Sequence, residues 1–169
     1  MRYECQVRIA RPRDVVVALF DNPYNLPKWQ PQLLEIEPVQ GVPGQPGAQC
    51  QLLYRMGKKH VPVLETVLDR ALPDRFVARY QTRQVDNRCD HHFIDEGSST
   101  LWQMECEFTF RGAMRLMALV PWLFRRQTQK SMEQFKGFAE SDEWESDDGP
   151  TGKATSPSTQ PSSPQYPDR

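Results

Sequence analysis

The stretch "DNPYNLPKWQP", Asp21 to Pro31, follows the apolar run "VVVALF" and breaks it. Asn22 precedes Pro23, and a residue before proline is pushed out of the helical region. Pro27 then opens a second short helix that carries Trp29. The segment therefore reads as two short helices with a turn between them, ending on a large aromatic. Such a ring has two uses here. It fills core volume under the helices, or it lines a hollow beside them.

Working outward, "RYECQVRIA" before this segment alternates. Tyr3, Cys5, Val7 and Ile9 share one face, and Arg2, Glu4, Gln6 and Arg8 share the other. That period of two is a half-buried strand. "RPRDVVVALFDN" is the first helix, with Pro12 as its first residue. After Pro31 come strand-like runs separated by turns: "LLEIEPVQ", "AQCQLLYRMG", "HVPVLETVLD", "RFVARYQTR", "VDNRCDHHFI" and "STLWQMECEFTFR". "GVPGQPGA" and "DEGSS" supply loop chemistry. The clearest alternation is the last: Trp102, Met104, Cys106, Phe108 and Phe110 against Gln103, Glu105, Glu107 and Thr109. The closing "MRLMALVPWLFRRQTQKSMEQFKGFAE" is helical, with Phe124, Thr128, Met132, Phe135 and Ala139 on one face. Pro121 kinks it or starts its main segment. The order predicts an α+β domain over residues 1–140, a twisted antiparallel sheet of six or seven strands covered by one long helix.

Composition bounds the function. The chain has 169 residues and a net charge of −1, which excludes a general nucleic-acid binder. No apolar run is long enough to span a bilayer, and the start lacks a signal peptide's continuous apolar core, so a cytoplasmic location is expected. Four dispersed cysteines, Cys5, Cys50, Cys89 and Cys106, show no zinc or disulfide spacing. From residue 141 to 169 the composition turns acidic and then Ser/Thr/Pro-rich, and a disordered tail is expected.

Several of these motifs together resemble a known family. The ordered set is "RPRDVVVALFDNPYNLPKWQP", "GVPGQPGA", "YRMGKK", "ETV", the Thr-x-Trp strand from Thr100 to Trp102, and "FRRQTQKSMEQFKGFAE". It resembles the START-like superfamily of helix-grip domains, also called polyketide cyclase/dehydrase-like or SRPBCC proteins, of the single-domain bacterial type. The resemblance covers Met1 to Glu140. It implies that the two short helices cap one end of a cavity between sheet and long helix, with a Trp at the cap where Trp29 stands. That superfamily includes lipid carriers, hormone receptors, cyclases, quinone-binding proteins and chaperone activators, so the fold alone does not choose a function.

The alternation sets the inward face. The expected ligand-binding set is Trp29, Tyr54, Met56, Glu65, Tyr80, Asn87, His91, Trp102, Met104 and Phe108, a mostly apolar lining with a few polar groups. Glu65 is either a ligand-orienting acid or base, or a strut in a hydrogen-bond network. His91 and His92 are adjacent and must face opposite ways on a strand. No metal and no cofactor are expected, and no phosphate loop or nucleophile elbow is present. Three functions stay open. One is a carrier of a small hydrophobic or amphipathic ligand such as a lipid, polyketide or isoprenoid-like molecule. Another is a cyclase or dehydratase with Glu65 or His91 as candidate acid/base. The third is an interaction module resembling chaperone activators or quinone-binding relatives. The apolar, Arg-flanked run 114–124 either covers the cavity mouth or makes transient contact with a membrane.

Overall fold

Strand β1, Arg2–Ile9, buries Cys5, Val7 and Ile9 and leaves the intervening side chains in water. In the computed structural model, which describes residues 1–141, it forms one edge of a seven-stranded antiparallel sheet. The other strands are β2 (Leu33–Gln40), β3 (Gln49–Met56), β4 (Lys59–Ala71), β5 (Arg75–Gln81), β6 (Val85–Asp95) and β7 (Thr100–Phe110). Their order across the sheet is β1-β7-β6-β5-β4-β3-β2. After β1 the chain must therefore cross the whole sheet to begin β2 at the opposite edge. It then meanders back until β7 pairs with β1.

The crossing is made by helix α1 (Arg13–Asp21), a short 3-10 turn (Pro23–Asn25) and helix α2 (Leu26–Trp29). Pro12 stands at the N-cap rather than inside α1, and its carbonyl accepts from the Val16 N–H at 3.1 Å. The break after Asp21 is held by two asparagines. Asn22 accepts from the Tyr24 N–H at 3.1 Å, and buried Asn25 donates to the Leu19 carbonyl at 3.1 Å. The second contact satisfies one of the carbonyls that a helix end leaves without a partner.

Pro38 sits in β2, where an edge strand tolerates a missing N–H. The loop between β2 and β3 closes tightly at Gly41, whose φ of +76° and 3.0 Å clearance to the Ala48 backbone exclude a side chain.

The C-terminal run is a 3-10 segment, Gly112–Leu119, followed by helix α3, Pro121–Glu140. Pro121 thus starts the main helix. Met132, Phe135, Phe138 and Ala139 are buried, while Phe124 and Thr128 are half-buried, so the expected face is the packed one. α3 lies against β1 and α2. The Tyr3 hydroxyl and Thr128 Oγ1 are 2.8 Å apart and pin its N-terminal half to β1. Phe20 of α1 links the layers, with its ring 5.0–6.1 Å from those of Phe76, Phe93, Trp102 and Phe135. Of the tail expected over residues 141–169, all but Ser141 lies outside the described residues.

Candidate functional site: a cavity between sheet and helix

The inner face of the sheet and α3 do not close on each other. A cavity of about 580 Å³ lies between them, inside the range typical of small-molecule sites. A second chamber of about 280 Å³ sits under α1 and the β2–β3 loop. Trp29, Glu65, Tyr80 and His91 line both. At the far side of the second chamber, Arg70 forms a bidentate pair with Asp21 at 2.5 Å and donates to the Gly44 carbonyl at 3.3 Å. That cation is engaged with its own carboxylate.

Strand register creates the polar pole. Cys50 pairs with Glu65, Glu65 with Tyr80, and Tyr80 with Asn87, one row across β3, β4, β5 and β6. Enclosure by protein raises the Glu65 carboxyl above its ordinary range, and the Tyr80 hydroxyl opposite it in the register offsets this only in part. Glu65 keeps half-buried surface because its free side faces the cavity. Among the described residues it forms no ion pair. Tyr54 donates to Gln30 Oε1 at 2.6 Å, and burial pushes its phenol far up.

His91 is neutral. Burial lowers it to about 4. Its Nδ1 accepts from the Trp102 indole N–H at 3.3 Å, and the two rings stack at 5.7 Å. The proton of this tautomer therefore sits on Nε2. That atom has no partner among the described residues, and neither have Asn87 Oδ1 and the Trp29 indole N–H. All three belong to residues that line the main cavity.

Nine of the ten expected site residues stand on the cavity wall: Trp29, Tyr54, Met56, Glu65, Tyr80, Asn87, His91, Trp102 and Met104. Trp29 serves both uses set out for it. It is buried, with its ring 5.1 Å from that of Phe135, and it also borders both chambers. Met56 is at the mouth, 60% exposed. Phe108 is the correction. It packs against Tyr3, Phe110 and Phe124 instead, because the start of α3 lies directly over the end of β7. His92 faces outward, 3.1 Å from Asp90, as strand alternation requires. Among the described residues no group of His, Cys, Asp and Glu is arranged to hold a metal.

Sequence reasoning missed the polar rim that α3 contributes: Gln127, Thr128, Ser131 and Gln134. A signal for it existed. Gln127, Ser131 and Gln134 recur at helical spacing and carry no charge in a helix otherwise rich in Arg and Lys.

The segment that leads into α3, and the first turn of that helix, are apolar and basic. Leu116, Leu119 and Trp122 are 67%, 77% and 62% exposed, and Leu123 stands one turn before Gln127 on the rim stripe. Arg55 lines the cavity, Lys58 and Lys59 follow it at the β3–β4 turn, and Arg115, Arg125 and Arg126 flank the apolar segment, all exposed. No Asp or Glu occurs from residue 38 to 64 or from 109 to 132. Among the described residues no helix is long and apolar enough to cross a membrane.

Residues 2–140 match the family described as "Polyketide cyclase / dehydrase and lipid transport". No curated protein matches in sequence. Several solved structures are similar. A START superfamily protein from Mycobacterium smegmatis is 15% identical with a TM-score of 0.68, covering 82% of this chain and 97% of that one. The Zhui aromatase/cyclase from Streptomyces sp. R1128 is 13% identical with a TM-score of 0.70, covering 84% and 94%. Norcoclaurine synthase from Thalictrum flavum, solved with dopamine and hydroxybenzaldehyde, is 11% identical with a TM-score of 0.63, covering 82% and 85%. At these identities the likeness is one of fold: a START-like helix grip.

Proposed function

The chain belongs to the polyketide cyclase/dehydrase and lipid transport family, and from that premise we propose that it binds one small hydrophobic or amphipathic molecule in the cavity between sheet and α3. The observation that carries this reading is the set of unpartnered polar atoms. Trp29 Nε1, Asn87 Oδ1 and His91 Nε2 are buried without hydrogen bonds, all on residues of one cavity wall. Leaving such atoms without partners costs about 1–3 kcal/mol each, so a wall that keeps three of them is built for a guest. The apolar part of the ligand lies against Leu52, Val63, Met104 and Trp102, and its polar end points to Glu65 and Tyr80. The exposed apolar segment and the arginines that flank it support loading from an anionic membrane surface.

Native mass spectrometry of the full chain purified from its own host tests the reading. A co-purifying small molecule, lost in Ser131→Trp where an indole plugs the rim, is the expected result. Identical ligand-free spectra for both proteins, with no small molecule taken up on incubation with a host lipid extract, refute it.

One observation favours chemistry on that ligand as a second reading. Glu65 and Tyr80 are register partners on the cavity wall, and burial raises the carboxyl above its ordinary range, which favours a protonated acid there. Under this reading Glu65→Gln abolishes turnover of a polyketide-like substrate while binding persists. Turnover equal to that of the parent protein refutes it.

A further inference from the structure

All four cysteines face the interior, three of them are buried, and two of those touch. Cys89 of β6 and Cys106 of β7 are register partners with sulfurs 3.7 Å apart, and both line the main cavity. The type of pairing follows from the ladder. The Glu96 N–H donates to the Ser99 carbonyl at 3.0 Å, and the Arg111 N–H donates to the Gln84 carbonyl at 2.8 Å, one bond beyond each end of the β6–β7 register. The register between them runs from Val85/Phe110 to Asp95/Thr100 without a shift. Hydrogen-bonded pairs alternate with non-bonded ones, so even-numbered β6 residues are bonded and Cys89/Cys106 is a non-bonded pair. In such pairs the Cα atoms approach to about 4.5 Å, within the span that a disulfide bridges.

The other cysteines do not compete. Cys5 pairs with Met104, which places it diagonal to Cys106, and diagonal neighbours are about 7–8 Å apart. That exceeds the reach of a disulfide without backbone movement. Cys50 is on β3, three strands from β6.

We propose that Cys89 and Cys106 form a thiol–disulfide modification site in the cavity wall, oxidised by a low-molecular-weight disulfide that enters through the mouth. The two sulfurs are equivalent in reach, so either thiolate attacks the small disulfide, displaces one small thiol and becomes a mixed disulfide. The other cysteine then attacks that protein sulfur, gives up its proton, and releases the second small thiol. Two S–H bonds are lost and one S–S bond forms, while the small disulfide is reduced to two thiols. Excess thiol reverses both steps. The product ties β6 to β7 where the wall is now two separate thiols. The proposal needs only that the cavity admit a small solute, so it stands apart from the identity of the ligand.

The sequence makes the test simple. Trypsin cuts after Arg88 and Arg111 and nowhere between, so one peptide, Cys89–Arg111, carries both sulfurs. The full chain is reduced, freed of reductant, incubated with oxidised glutathione, capped with N-ethylmaleimide and digested without reduction. The peptide is expected to weigh two hydrogens less than its dithiol form and to take no cap. Dithiothreitol before capping restores two caps. The Cys5→Ser/Cys50→Ser double variant behaves the same way, whereas Cys106→Ser never shows the two-hydrogen loss. A native peptide that keeps two caps, or that holds a stable glutathione adduct without closing, overturns the proposal.

Discussion

Glu65 carries the polar end of the cavity, and its environment fixes what a substitution does. Its carboxyl is raised by burial and only partly restored by Tyr80. The stability it contributes is fully present below its unfolded value, near 4.3, and is lost as pH rises through the higher folded value. Glu65→Gln keeps the shape and removes this liability. The expected outcome is a higher thermal midpoint at neutral pH, with the gain vanishing near pH 4. His91 has the opposite sign. Its folded value is depressed to about 4, so its stabilising contribution is present above the unfolded value near 6.5 and is lost as pH falls from there toward 4. The size is roughly 3 kcal/mol, at 1.36 kcal/mol per unit. Thermal melts between pH 7 and pH 4 should lose that acid limb in His91→Gln. Both side chains were legible in the sequence as inward-facing polar residues, because the phase of β4 and β6 is written in their alternation. Which partner each one takes, among Tyr54, Tyr80 and His91 for Glu65, was not. Glu65 meets Tyr80, Trp102 meets His91, and Cys89 meets Cys106 only through strand register, which a single strand's pattern does not encode.

At the scale of elements, α3 holds the architecture together. Phe135 is fully buried against Trp29, Trp102 and Phe20. Phe135→Ala should cost about 3–5 kcal/mol in denaturant unfolding, and a loss under about 1 kcal/mol would mean that another face of α3 is the packed one. The strands, the broken helix and the packed face of α3 were readable from periodicity and proline placement. The 3-10 segment before Pro121 was read only as helical. It buries no residue, so no periodic stripe marks it. Its exposed leucines and the first turn of α3 make a separate prediction. Leu119→Asp with Trp122→Asp should reduce sedimentation of the full chain with phosphatidylserine-containing vesicles at least several-fold while leaving the melt within about 0.5 kcal/mol, as expected for exposed positions. Equal sedimentation of both proteins would show that the segment does not touch lipid.

The whole molecule works as a grip because its topology separates the two sheet edges and then bridges them. β1 and β2 lie at opposite edges, so α1 and α2 must span the sheet, and α3 returns over β1. Four layers of restraint keep the interior from collapsing: the Arg70–Asp21 pair, the Asn25 cap, the Tyr54–Gln30 bond and the Tyr3–Thr128 bond. Charge is distributed with the same asymmetry. Residues 38–64 and 109–132 carry bases and no acid, while the net charge of the chain is −1. That hollow was legible from the mostly apolar inward face and from the motif order shared with helix-grip domains. Its mouth was not, since the rim combines the β3–β4 turn with uncharged side chains of α3 that are far away in sequence.

The most direct test of a ligand-holding cavity is methyl NMR of the full chain titrated with 1-anilinonaphthalene-8-sulfonate. The methyl groups of Leu26, Leu52, Val63 and Met104 line the cavity, whereas those of Val39, Val42 and Ile94 are exposed elsewhere. One-site saturation is expected, with intermolecular contacts to the first group and none to the second. Saturable shifts confined to the exposed methyls, or none at Leu52 and Met104 at saturation, would contradict the account.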